Sequence, residues 1–107
     1  MFNWAEDTNC AITACDTEGV VIFMNKQSIL VNGDMRGKNM LPCHNERSRG
    51  IIDRLIKEGG TNAYTIDKKG VRKMIYQTAW RHEDGTVGGL LEISMPIPAE
   101  MPHYIRG

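Results

Sequence analysis

The sequence predicts an α+β domain: a five-stranded antiparallel sheet with short helices packed on one face. Three observations lead there. Five segments carry the β-branched, aromatic or alternating pattern of strands. Tight turns at Asp16–Gly19, Asp67–Gly70 and Glu83–Gly85 join strands as antiparallel neighbours. The helical segments all fall between the second and third strands, so they share one sheet face to cover. The 107 residues make one domain, long enough for a core without metal or disulfide staples.

The chain opens with an arm, residues 1–9, whose Phe2 and Trp4 suit a partner surface on the same domain or on a second copy. Ala11–Cys15 is the first strand and Val20–Met24 the second, with Gly19 supplying the turn. Asn25 caps a short helix through Val31 that Asn32-Gly33 ends. Gly37 then opens a stretch reaching Arg49 that sets a thiol, Cys43, beside an imidazole, His44. The main helix follows: Asn45 is the N-cap, Glu46 suits its positive end, and Gly59-Gly60 stops it. Ile51, Ile52, Leu55 and Ile56 form its apolar face, and Arg47, Arg49, Arg54 and Lys57 its solvated one. Asn62–Ile66, Val71–Trp80 and Thr86–Met95 are the last three strands. In the final strand Leu91, Ile93 and Met95 point one way as the buried face, and Glu92 and Ser94 the other. Gly88-Gly89 marks a bulge or a close backbone approach. The tail, with Pro96, Pro98 and Pro102, is expected neither to begin as a regular helix nor to continue the sheet.

Thirteen basic and thirteen acidic residues cancel, which gives no electrostatic drive toward nucleic acid or an anionic membrane. No apolar run approaches the ~20 residues of a membrane-spanning helix. The N-terminus lacks the basic and apolar regions of a secretory signal. Three cysteines without a Cys-x-x-Cys pair fit a reduced, cytoplasmic setting.

This order of elements resembles the PAS domain, a sensory module. The residues that carry the resemblance are Asp16-x-x-Gly19 between two strands, Asn25 after the second, and Gly37-Lys38. The helix Ser48–Glu58 ended by glycine, the Asp67–Gly70 turn, and Asp84-Gly85 before Gly88-Gly89 complete it. Cys43-His44-Asn45-Glu46 looks like a Cys-His-rich variant found in some bacterial and archaeal members. The resemblance implies the strand order 2-1-5-4-3 and a PAS-like domain over residues 10–97, between the arm (1–9) and a proline-containing tail (98–107). It further implies a homodimer in signal transduction or transcriptional control that binds a small ligand or a partner protein and catalyses nothing itself. Where longer members carry Asp-Ile-Thr before a signalling helix, this chain has Pro96-Ile97-Pro98, so no rigid coiled coil is expected to continue from the last strand and a stand-alone or loosely tethered domain is expected.

The space between a curved sheet and short helices is a natural ligand pocket. With a helix beginning near Cys43, His44 shares a face with Ser48 and Ile52, and these three are the pocket candidates. Asn45 and Arg47 join them, because helix-start amides beside an arginine suit a carboxylate or phosphate. The alternative is a haem- or redox-dependent sensor. His44 is then the axial ligand, or Cys43, near a helix N-terminus, the reactive thiol. Haem-binding members take their ligand from this helix, but aligned on Gly50–Arg54 their histidine falls at Ser48. A zinc site from Cys10, Cys15, Cys43 and His44 lacks a finger's spacing. A flavin adduct needs a cysteine directly after Gly37-Lys38-Asn39, where this chain has the thioether of Met40. Cys-His catalysis needs a geometry that sequence neighbours rarely provide, and no orienting group is evident beyond Asn45. Met24 and Met40 are candidates for an adaptable pocket wall or plain core.

Overall fold

The computed structural model describes residues 1–107, the side chain of Cys43 excepted. Strands β1 (Ala11–Asp16) and β2 (Val21–Met24) form the first hairpin. Asp16 shapes its turn, since Oδ1 accepts from the N–H groups of Glu18 (2.9 Å) and Val20 (3.0 Å). Helix α1 (Lys26–Asn32) starts directly after β2 because Asn25 caps it, Oδ1 accepting from Ser28 N–H at 2.9 Å. Asn25 is fully buried and does more than cap. Its Oδ1 also accepts from Ile12 N–H (2.9 Å), and its Nδ2 donates to the carbonyls of Ala5 (2.7 Å) and Cys10 (2.8 Å). One side chain thus ties arm, β1 and α1 together. The arm is further held by Lys26, whose N–H donates to Glu6 and whose ammonium pairs with Asp7 at 3.0 Å. Phe2 and Trp4 remain exposed.

Helix α2 (Glu46–Glu58) is capped by Asn45, which accepts from Ser48 N–H at 2.8 Å, and ends at Gly59. Ile52 and Leu55 pack with Cys15 and Leu90 as the centre of the core. Strands β3 (Thr61–Lys68), β4 (Val71–Arg81) and β5 (Val87–Ile97) complete the sheet. Its order is β2-β1-β5-β4-β3, antiparallel throughout. Gly88 is the extra residue of a bulge where β5 passes Trp80, and Trp80 Nε1 donates to the Cys15 carbonyl at 2.9 Å. Both readings of Gly88-Gly89 therefore hold, since a Cβ at Gly89 would lie 1.8 Å from the Cys15 oxygen.

Three expectations need correction. β5 does not stop at Met95: Pro96 pairs with Lys73 and Ile97 with Arg72. Proline is tolerated there because β1 begins only at Ala11, opposite Ser94, which leaves that side of β5 beyond Ser94 an open edge needing no donor. The second correction concerns faces. Leu90 and Glu92 face the helices together with Thr13 and Cys15, while Leu91, Ile93 and Met95 lie half-buried on the outer face. The sheet is apolar on both sides, so alternation alone assigned the wrong side to the core. Third, His44 is not in the helix. A 3-10 turn, Leu41–Cys43, precedes it, and His44 is extended (φ −108°, ψ 148°).

Residues 98–107 contain no helix or strand. No described helix is long and apolar enough to cross a membrane.

Candidate functional site

The central stretch forms one wall of a cavity. It is strapped to the free edge of β2: Gly37 N–H donates to Val21 O (2.8 Å), Val21 N–H to Lys38 O (2.9 Å), and Met40 N–H to Gly19 O (2.9 Å). Asn39 locks the strap, its Nδ2 donating to Glu18 O at 3.0 Å and its Oδ1 accepting from Leu41 N–H at 2.9 Å. With this wall on one side and the sheet on the other, Asn32 at the end of α1 and Met35 complete the lining of a cavity of about 240 Å³.

The cavity is mostly apolar. Val21, Met24 and Leu90 form the floor, and Met35 and Met40 close the sides. Met24 is itself positioned, since its sulfur accepts from Met35 N–H at 3.2 Å. Polar groups enter at a few points: the Thr13 hydroxyl, which hydrogen-bonds Ser28, the Asn32 amide, His44 and Glu92. Burial pushes the Cys15 thiol up from its ordinary pKa, and the negative charges of Asp16 and Glu92 add to the effect. A small set of polar groups in an apolar wall is how ligand sites obtain orientation and specificity.

Glu92 is held by a hydrogen-bonded chain running across the sheet. Gln77 Nε2 donates to Glu92 Oε1 at 2.9 Å, and Asn62 Nδ2 donates to Gln77 Oε1 at 3.0 Å. Gln77 is buried and Asn62 half-buried, so this line of amides fixes the carboxylate from the β3 side. His44 is oriented from the other side, with Nδ1 3.0 Å from the Met40 carbonyl oxygen. A carbonyl only accepts, so Nδ1 carries the proton and Nε2 is the nitrogen left to a ligand.

The five sequence-derived candidates are distributed unevenly. His44 lines the cavity. Asn45, Arg47 and Ser48 lie outside it, around a second, more polar hollow of about 360 Å³ between the start of α2 and the β3–β4 edge. His44 borders both. Ile52 lines neither, being 1% exposed in the core cluster. The first cavity is the better site despite its smaller volume, because it lies against the core with an apolar wall. Glu92 and Thr13 were missed by sequence reasoning. The available signal was a lone charge within the apolar run Leu90-Leu91-Glu92-Ile93, on the same strand face as Leu90.

Size argues against a haem. About 240 Å³ falls below the ~300–1,000 Å³ of sites for drug-sized ligands, and a porphyrin is at the large end of that class. His44 has a free nitrogen to offer, but the walls as they stand do not admit the macrocycle. The Cys43 thiol, the other half of that alternative, lies outside the described residues.

No family model matches the chain, and no curated protein does. Solved structures do. The PAS domain of the histidine kinase ThkA superposes with a TM-score of 0.67 at 14% identity, over 80% of this chain and 97% of that one. The Aer2 receptor from Vibrio cholerae, a dual PAS-heme oxygen sensor, gives 0.64 at 16% identity, over 83% and 95%. VqmA bound to DPO gives 0.64 at 13% identity, over 81% of this chain and 52% of that one, and a VqmA dimer from Vibrio cholerae gives 0.63. At such identities the likeness establishes the fold.

Proposed function

From the premise that this chain is a domain of the PAS fold, we infer that it is a sensory module of signal transduction that binds a small molecule in the cavity beneath the helices and carries out no reaction of its own. The observation that carries the reading is the cavity itself: about 240 Å³, walled by adaptable methionines, with His44 and Glu92 oriented at its rim by other residues. Ligands smaller than a typical drug suit it. That a fold neighbour, VqmA, is found bound to DPO is consistent with this use of the fold. The alternative sensor built on haem at His44 is less well served, for the reason of volume given above.

The module acts as a homodimer through the outer sheet face. Met74 pairs with Met95 and Tyr76 with Ile93 across β4 and β5 there, Leu91 lies beside them opposite Thr78, and the exposed Phe2 and Trp4 are further apolar surface. A second copy as the partner is in keeping with the dimer formed by VqmA, a neighbour in fold. Control of transcription fits the same comparison. A reducing, cytoplasmic setting suits the free thiols of Cys10 and Cys15.

Native mass spectrometry of the purified protein beside a cavity-filling Met40→Trp variant tests the ligand reading. A retained small molecule in the wild type, lost in the variant, is expected. A fragment screen by NMR in which no compound moves the Thr13, Leu90 and Glu92 amides would refute it.

A further inference from the structure

Of the cavity's polar groups, the Thr13 hydroxyl and the Asn32 amide nitrogen are engaged with Ser28, which leaves Glu92 and His44 to meet a ligand's own polar group. Glu92 is the only charged side chain among the described lining residues. Its Oε1 is taken by Gln77, and Oε2 has no partner among the described residues. The Gln77 amide keeps its nitrogen toward Glu92, because a carboxylate oxygen only accepts, and its own oxygen accepts from Asn62. The carboxylate is therefore held in place with one oxygen available. His44 adds a second acceptor. Its proton is fixed at Nδ1 by the Met40 carbonyl, so in the neutral ring Nε2 carries a lone pair.

Two acceptors, one of them anionic, thus belong to the lining of a mostly apolar and thioether-walled space. An anionic ligand would place like charge beside Glu92 in a medium that screens poorly. A ligand without donors would strip water from both acceptors and return no hydrogen bond. We propose that the ligand of this cavity is a compact apolar organic cation: a protonated primary amine or amidine whose N–H groups donate to Glu92 Oε2 and His44 Nε2 while its hydrocarbon body packs on Met24, Met40 and Leu90. This rests on the reading that the cavity is the ligand site, and adds the chemical class. The methionines suit it doubly, since polarizable sulfur adapts to the body of the ligand without competing for its charge.

Three probes of nearly equal size and different charge separate the possibilities: cyclohexylmethylamine, cyclohexylmethanol and cyclohexanecarboxylate. Each is titrated at pH 7 into the isotope-labelled full chain, with amide shifts as the readout. The amine is expected to move the Thr13, Leu90 and Glu92 amides and to bind at least about tenfold more tightly than the other two, a difference of ~1.4 kcal/mol. In Glu92→Gln, which keeps the shape and removes the charge, the three affinities are expected to converge. Alcohol or carboxylate binding as tightly as the amine at the same amides would overturn the proposed class and leave the cavity standing as the site. A preference that survives Glu92→Gln would also overturn it. If none of the probes moves those amides, both the class and the site are wrong. The ranking on the wild-type protein decides the matter even if the variant does not fold.

Discussion

Asn25 is the residue whose removal should cost this fold the most for the fewest atoms. It is fully buried and its amide is saturated, accepting from Ile12 and Ser28 and donating to Ala5 and Cys10. Asn25→Ala removes the α1 cap, worth ~1 kcal/mol. It also strands the Ile12 N–H and the Cys10 carbonyl, at ~1–3 kcal/mol for each buried group left unpaired. The total expected loss is about 3–7 kcal/mol, read as a fall of about 1.5–3.5 M in the urea midpoint for a slope near ~2 kcal/mol/M. Asn25→Ser keeps a capping oxygen and should recover about 1 kcal/mol of that. Asn25→Asp distinguishes the hub from a simple cap, because it preserves both accepted bonds but sets a carboxylate oxygen against two carbonyls. Burial and that repulsion raise the pKa of the introduced carboxyl in the folded state. The variant's stability relative to wild type is then highest below the unfolded value of ~3.9 and falls as pH rises through the raised folded value. A loss under 1 kcal/mol for Asn25→Ala, or an Asn25→Asp variant as stable as wild type at pH 7, would refute the hub.

Three further outcomes are expected. Gly89→Ala should destabilise more than Gly88→Ala, because its Cβ would meet the Cys15 backbone oxygen at 1.8 Å whereas that of Gly88 meets a side chain, the Trp80 ring, at 2.1 Å. Equal urea midpoints would contradict this, and a shifted Trp80 fluorescence should mark the Gly88 variant. The Cys15 thiol is raised above its ordinary value of 9.0 by burial, so the stability it confers is fully present below pH 9 and is lost as pH rises beyond it. Urea midpoints at pH 8 and 10 should fall more for wild type than for Cys15→Ala, and parallel falls would contradict the assignment. Ile93→Lys, on the outer face, should turn a dimer into a monomer in sedimentation while leaving the far-ultraviolet spectrum unchanged; a wild type that sediments as a monomer at ~100 μM would end the dimer reading.

The elements were legible because their boundaries rest on local chemistry. Asn25 and Asn45 cap the two helices from the positions their sequence context assigns, and Gly33 and Gly59 end them. Asp16, Lys69-Gly70 and Gly85 make turns whose backbone needs are met within four residues. The Pro96 extension was not legible. A proline is barred from a strand only where a neighbour needs its N–H, and whether β1 reaches that far is a matter of pairing between residues more than eighty apart.

The site was half legible for a related reason. Reading His44 as a helical residue placed it with Ser48 and Ile52, yet it reaches the cavity from an extended residue after a 3-10 turn, with its ring aimed by the Met40 carbonyl. The cavity-lining position expected of His44 is thus reached by a backbone conformation other than the helical one. Glu92 was hidden by the opposite effect. On a strand with apolar residues at both parities, Leu91-Ile93-Met95 looked like the core face because it is the more uniformly apolar. The helices instead cover the side with Leu90, where Gln77 and Asn62 from the neighbouring strands supply the hydrogen bonds that make a carboxylate tolerable. A single strand shows neither partner. The charge reads as a solvent marker until the sheet order brings β4 and β3 beside it, and only then as a group held in place for something to bind.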